Sequence, residues 1–275
     1  MAVLGIVFAK KFRHFRFVYD RQAAFSVIVE HHHKRLGFLA RIVESLAFRN
    51  ADAIVVVVPA FERELVRFKR KLFSVPNGVS LAEFRPRHAG RRMAFTVLIV
   101  AALTYIEGID VFIKAARLVR NRRPHTRFVI VGDGEYAGEL KALNETLHLP
   151  AEFAGWVPFE NVPRVINEAD ICVSCVLPTI FTDYAYPVKL FEYLACAKPV
   201  VVSDIKGDLE LIRDGKEGLV YGANSPQDLA RKIMRLIGDA NLRRRLAANG
   251  HRLVKAYSWE ACSAVLIRAY ESILT

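Results

Sequence analysis

Pro187, Lys189 and Glu192 lie within six residues of one another in "YPVKLFEYLA" (186–195), and their types and spacing suit the capture of an anion. Proline fits the first position of a helix, where its missing N–H costs nothing. The N–H groups of Val188, Lys189 and Leu190 would then lie open at the positive end of the helix, with the Lys189 ammonium among them. A lysine there opposes the helix dipole, so its presence points to a bound negative group. Glu192, three residues on, shares a face with Lys189 and can accept two hydrogen bonds from a vicinal diol. The plainer alternative is an i,i+3 ion pair between Lys189 and Glu192, worth ~0.2–0.5 kcal/mol on an exposed helix.

Three other clusters are weaker. "RFVIVGDGEYAG" (127–138) places Gly132, Gly134 and Gly138 between a strand and a helix, in the manner of a phosphate-binding loop. Asp133 would set a negative charge against a phosphate, and no acidic residue ends the next strand, so a tight strand-to-helix turn is the favoured reading. "EHHHKR" (30–35) supplies Glu30, His31, His32 and His33. If "SVIVE" (26–30) is a strand, alternate histidines share one face, but no second cluster completes a metal site. Cys172 and Cys175 form C-x-x-C inside an apolar strand. Residues three apart on a strand face opposite ways, which makes these thiols buried and inert.

The elements that must position these residues read clearly from residue 95 onward. Apolar runs at 95–101, 127–132, 151–156, 171–175, 199–204 and 218–222 alternate with helical stretches. Such alternation indicates a parallel sheet covered on both faces, whose ligands sit beyond the carboxyl ends of the strands. Residues 1–94 are less complete, with strands at 16–20, 53–58 and 72–76 and helices at 35–49 and 60–70. Turn-rich 76–92 reads as a linker. The expected domains are a partial Rossmann-like unit over 1–90, a complete doubly wound one over 91–257, and a helix over 258–275 returning toward the first.

The chain is 53% hydrophobic and 25% charged, the composition of a folded globular protein. The basic cluster near the start follows the apolar run instead of preceding it, which is the wrong order for a secretory signal. No apolar run approaches the ~20 residues that span a bilayer. A cytoplasmic location is expected. Residues 1–94 hold 18 Lys and Arg against 7 Asp and Glu, and the remainder is nearly balanced at 22 against 21. That asymmetry suits a polyanionic neighbour such as a phospholipid surface. Nucleic acid is excluded as the leading partner, because the cations lack interleaved aromatics on a recognition module.

Several stretches together resemble the group 1 (family 4) glycosyltransferases of GT-B fold. They include "SVPNGVSLAEFRP", "RFVIVGDGEYAGELKAL", "FAGWVPFENVPRVINEADICVSC", "PVKLFEYLACAKPVVVSDIKGDLELIRDGKEGLVY" and "YSWEACSAVLIRAYESIL", in family order across about 74–275. The resemblance implies two Rossmann-like domains and transfer of a sugar from a UDP-, GDP- or ADP-sugar, with retention and with neither metal nor cofactor. The acceptor would be a lipid-linked or polysaccharide hydroxyl. By the same resemblance Glu192 matches the glutamate that holds the donor ribose. Pro187, Val188 and Lys189 match the diphosphate site, with Lys189 in a catalytic role, and Leu190 is a further candidate donor contact. Ala101, Gly132 and Asp133 lie on loops lining the nucleotide cleft.

The chain departs from the family pattern in three ways. Tyr184, preceded by Asp183, replaces the first glutamate of the E-x7-E signature, and both remain candidate donor contacts. Ala102 and Glu107 stand where the family carries an arginine and a lysine, cations that would neutralise the leaving diphosphate. Several N-terminal βα units are missing, so the chain reads as N-terminally incomplete, with an open apolar edge at 53–58 and a second chain supplying the missing units. These departures support an alternative: a catalytically impaired or non-catalytic subunit that binds nucleotide or glycan. The leading reading remains an enzyme peripheral to the inner face of the cell membrane.

Overall fold

A computed structural model describes Ile6, Lys10 and residues 15–87, 94–148, 151–182 and 187–274. These fall into two compact units, one from 15–78 with 259–274 and the other from 79–182 with 187–258. The first boundary thus lies at 78/79, ahead of the expected 90/91. Val79 pairs with Ser258, its N–H donating to the Tyr257 carbonyl at 2.9 Å. Asn167 holds the following segment by accepting from the Arg87 N–H and donating to the Arg85 carbonyl.

The first unit runs β1 (Val18–Arg21), α1 (Phe25–His32), α2 (Gly37–Asn50), β2 (Ala53–Val56), α3 (Pro59–Glu64) and β3 (Leu72–Ser74). Its three strands are parallel in the order β1-β2-β3. The last helix, Trp259–Leu274, packs on β2 and β3. Two expectations fail here. The stretch "SVIVE" is helical: α1 packs along α2, and the Ser26 hydroxyl donates to the buried Glu44 carboxylate at 2.7 Å. Tertiary packing outweighs the strand preference of Val27, Ile28 and Val29. His31 and His32 therefore follow one another on a helix, and Glu30 pairs with Arg41. Among the described residues no group of three or more His, Cys, Asp or Glu could hold a metal. Nor do residues 53–58 form an open edge. They are all buried, with β2 between its two neighbours. Exposed apolar side chains of this unit include Phe25, Leu36, Phe38, Leu39 and Ile42, on and between α1 and α2, and Val66, Ile267 and Leu274 elsewhere.

The second unit contains β4 (Thr96–Val100), α4 (Ile109–Arg120), β5 (Arg127–Val131), α5 (Ala137–Thr146), β6 (Ala151–Gly155), α6 (Val162–Asn167) and β7 (Ile171–Ser174). There follow α7 (Val188–Ala195), β8 (Val200–Ser203), α8 (Lys206–Leu209), β9 (Gly218–Tyr221), α9 (Pro226–Gly238) and α10 (Ala240–Val254). All six strands are parallel, in the order β6-β5-β4-β7-β8-β9. Val97, Ile99, Ile171, Val173 and Val201 join Phe112, Ile113 and Ile233 from the helices in one core, every one of them fully buried. Burial on that scale stabilises by about 1.5–3 kcal/mol per large side chain. Strand order reverses between β4 and β7, so the loops after these two strands flank the switch point where such sheets bind ligands. No helix of the described residues is long and apolar enough to cross a membrane.

Candidate functional site

Helix α7 follows β7 and points its amino end toward the switch point. Pro187 is the N-cap, with extended backbone (φ −66°, ψ 110°), and not the first helical residue. Its carbonyl therefore enters the helix and accepts from the Leu190 N–H at 3.0 Å. Leu190 is fully buried in the core. The three open N–H groups expected from the sequence reduce to two, those of Val188 and Lys189, which have no acceptor among the described residues. Val188 is exposed. Asp183 and Tyr184 lie outside the described residues.

Lys189 does not pair with Glu192. Its ammonium forms an ion pair with Glu107, 82 residues earlier. Glu107 ends the 3-10 turn Tyr105–Glu107 that follows β4, so the pair bridges the loops on either side of the switch point. Two features lock this turn. The Leu177 N–H donates to the Ile106 carbonyl at 2.8 Å. Gly108 adopts a left-handed conformation (φ 60°), and a Cβ there would stand 2.2 Å from the Cys175 carbonyl oxygen. The side chains of Lys189 and Glu107 keep 11% and 22% of their surface exposed, so the pair is shielded yet reachable from solvent.

Glu192 lies half-buried one turn along α7, and its carboxyl has no hydrogen-bond partner among the described residues. Burial pushes that carboxyl up to about 7, with Lys189 pulling the other way. Next to it, the fully buried Tyr193 hydroxyl accepts from the Val100 N–H at 2.8 Å and anchors α7 to the end of β4.

A third carboxyl near Lys189 escaped the sequence reading. Asp208 on α8 is fully buried, and neither carboxylate oxygen has a hydrogen-bond partner among the described residues, although the Ser174 and Ser203 hydroxyls stand beside it. Ser203 donates instead to the Val176 carbonyl at 2.8 Å. The available signal was periodicity: Ile205, Asp208 and Ile212 share one buried face, and an acid in that series is out of place. Burial pushes the Asp208 carboxyl up to about 8, opposed by Lys189. An unfolded aspartate titrates near ~4. Between those values the folded chain holds a proton that the unfolded chain has lost, so stability falls as pH rises across this window. Asp208→Asn should remove that loss. The variant is expected to melt above the parent at pH 8, by about 2–4 °C per kcal/mol recovered, with the gap closing toward pH 4. Melting curves over this range check it; a gap independent of pH would show that Asp208 is ionised in the fold.

The glycine-rich turn uses most of its donors internally. Gly132 donates to the Gly155 carbonyl at 2.8 Å, and Gly134 to the Asp133 carboxylate at 2.8 Å. Ala101 donates to the Val131 carbonyl and Leu103 to that of Asp133, lacing the ends of β4 and β5 together. This is the architecture of a tight turn, with Ala101, Ala102, Gly132 and Asp133 beyond the strand ends. Cys172 and Cys175 are buried free thiols, and burial pushes Cys175 up to about 12.

Residues 94–239, more than half of the chain, match the family described as glycosyl transferases group 1. An uncharacterized glycosyltransferase of Methanocaldococcus jannaschii is 27% identical over 231 residues, covering 82% of this chain and 61% of that protein. A Campylobacter jejuni α-1,4-N-acetyl-D-galactosaminyltransferase, whose name carries an undecaprenol-diphosphate-linked acceptor, is 30% identical over 222 residues, 79% of this chain and 59% of its own length. Both thus extend well beyond the matched region. Among solved structures, Anabaena HepE in complex with UDP superposes with a TM-score of 0.83 at 18% identity, over 98% of this chain and 76% of that one.

Proposed function

The chain belongs to the group 1 glycosyltransferases of GT-B fold, and from that premise we propose that it moves a sugar from a nucleoside-diphosphate sugar to a hydroxyl acceptor. The observation that carries this reading is the amino end of α7 at the switch point, with Lys189 in its first turn and, behind it, Glu192, whose carboxyl has no hydrogen-bond partner among the described residues. A diphosphate would rest against the N–H groups of Val188 and Lys189 and the Lys189 ammonium. Glu192, once ionised, would accept from the two ribose hydroxyls, beside the loops of Ala101, Gly132 and Asp133. Departure of the nucleoside diphosphate with retention at the anomeric carbon then calls for stabilised phosphate charge, the role assigned to Lys189 and the helix dipole without metal or cofactor. That the Anabaena protein of the same fold is in complex with UDP supports a nucleotide as the ligand.

The proposed acceptor is a lipid-linked or polysaccharide hydroxyl at a membrane surface. Its support is the lipid-linked acceptor of the Campylobacter relative and the basic first third of the chain. Phe38 and Leu39 are exposed close to Lys34, Arg35 and Arg41, a mixture suited to an anionic interface. One observation favours the rival reading of a non-catalytic subunit: the only described ion pair of Lys189 is with Glu107. Slow release of free sugar from a nucleotide sugar, lost in Lys189→Ala, decides for the enzyme.

A thermal-shift series with UDP, GDP, ADP and their sugars tests the site. At 100 times its dissociation constant a ligand adds about 2.7 kcal/mol, a rise of about 5–11 °C. Affinity should strengthen as pH rises through about 7, where Glu192 ionises. Glu192→Gln should bind about tenfold or more weakly and lose that pH dependence. A pH profile identical in both proteins would separate Glu192 from the ligand.

A further inference from the structure

We propose that Glu107 is an internal anion that occupies Lys189 in the free protein and has to be displaced before a diphosphate can settle at the amino end of α7, so that this residue sets the affinity of the site for its donor. The inference rests on the nucleotide reading given above and names a residue that works against binding.

Carboxylates and phosphates are recognised by the same chemistry, charge-assisted hydrogen bonds to an ammonium. One lysine held by one carboxylate offers little of its charge to a second anion. In this chain the contact lies at the switch point, where an α/β sheet of this topology receives ligands. It is also built rather than incidental. The left-handed Gly108 and the Leu177–Ile106 hydrogen bond hold the 105–107 turn against the end of β7, so Glu107 is presented to Lys189 by backbone geometry.

The remaining charges around Lys189 strengthen the case. Glu192 follows on the same helix, and Asp208 approaches from α8 with no hydrogen-bond partner among the described residues. Burial raises both of these carboxyls, and Glu107 is the one in ion-pair contact with the lysine. The N–H groups of Val188 and Lys189 have no acceptor among the described residues. With the pair 11% and 22% exposed, a solute can reach it and compete.

The test compares the full 275-residue chain with Glu107→Gln, an isosteric change that removes the charge. Titration calorimetry with UDP, GDP, ADP and inorganic pyrophosphate, at one fixed ionic strength, measures Kd for each. The expected result is binding at least about tenfold tighter in Glu107→Gln. Binding equal to or weaker than the parent's, in a variant that still melts cooperatively, overturns the proposal and makes the pair a brace of the fold alone. Should Glu107→Gln not fold, Glu107→Asp draws the carboxylate back by one methylene and is read the same way, with a smaller gain expected. No binding of any of the four probes by parent and variant alike would remove the nucleotide reading itself. Binding by the parent that the variant leaves unaltered removes only the role of Glu107.

Discussion

Replacing Lys189 with glutamine is expected to weaken nucleoside-diphosphate binding by about 30- to 150-fold, corresponding to the ~2–3 kcal/mol of a hydrogen bond to a charged group. The loss has two sources. The ammonium is the cation at the amino end of α7, and its removal also frees Glu107 to repel the phosphates. A double-mutant cycle separates them. Glu107→Gln tightens binding in the parent by releasing Lys189, and the gain that it still gives in the Lys189→Gln background measures the direct repulsion of the phosphates by Glu107. Stability gives an independent reading, because Lys189 has most of its surface buried and leaves a poorly solvated carboxylate behind. Lys189→Gln alone should lower the melting temperature, while the neutral double variant recovers much of it. The helix dipole acts the other way, favouring removal of a cation from this end by about 0.3–1 kcal/mol. A Lys189→Gln protein that binds UDP, GDP and ADP as the parent does would move the donor site away from α7.

Gly132→Ala should be the most damaging single methyl in the second unit. Gly132 has φ 137°, a conformation that side chains rarely adopt, and a Cβ there would stand 1.8 Å from the Ala101 carbonyl oxygen. That oxygen belongs to backbone at the end of a central strand and cannot swing aside. Relief requires parting the ends of β4 and β5, whose bonds include Ala101 to Val131 and Leu103 to Asp133. A cost of about 3 kcal/mol is expected, or about 6–12 °C in melting temperature. Gly138→Ala is the matched control, since nothing lies within 4 Å of a Cβ at that position. Equal melting temperatures for the two variants would contradict the close approach at Gly132.

Much of the second unit was legible in the sequence because its strands are near-continuous apolar runs, a pattern that parallel sheets buried on both faces demand. The same logic misled at 26–30, where three β-branched residues in a row form a helix because α2 offers them a packing surface. Local rules also placed Pro187 one residue too far into α7, since proline is compatible with both positions and only the backbone angles distinguish them. The chemistry of Lys189 divides in the same way. That a cation sits at a helix start beyond a parallel strand followed from residue types and spacing alone. Its partner did not: the nearest acid in sequence is Glu192, but the side chain turns to Glu107, brought there by the adjacency of β4 and β7.

Asp208 was hidden for a related reason, because its burial depends on helix α8 closing over the ends of β7 and β8. The sequence by itself determined the alternation of strands and helices, the family, and the residues available at the end of α7, since these depend on local preference and on order along the chain. Which charges meet, which donors remain open and which carboxyl is cut off from water were decided only by the tertiary structure. Those are properties of through-space distance and solvent access, which strand order creates between residues far apart in the chain.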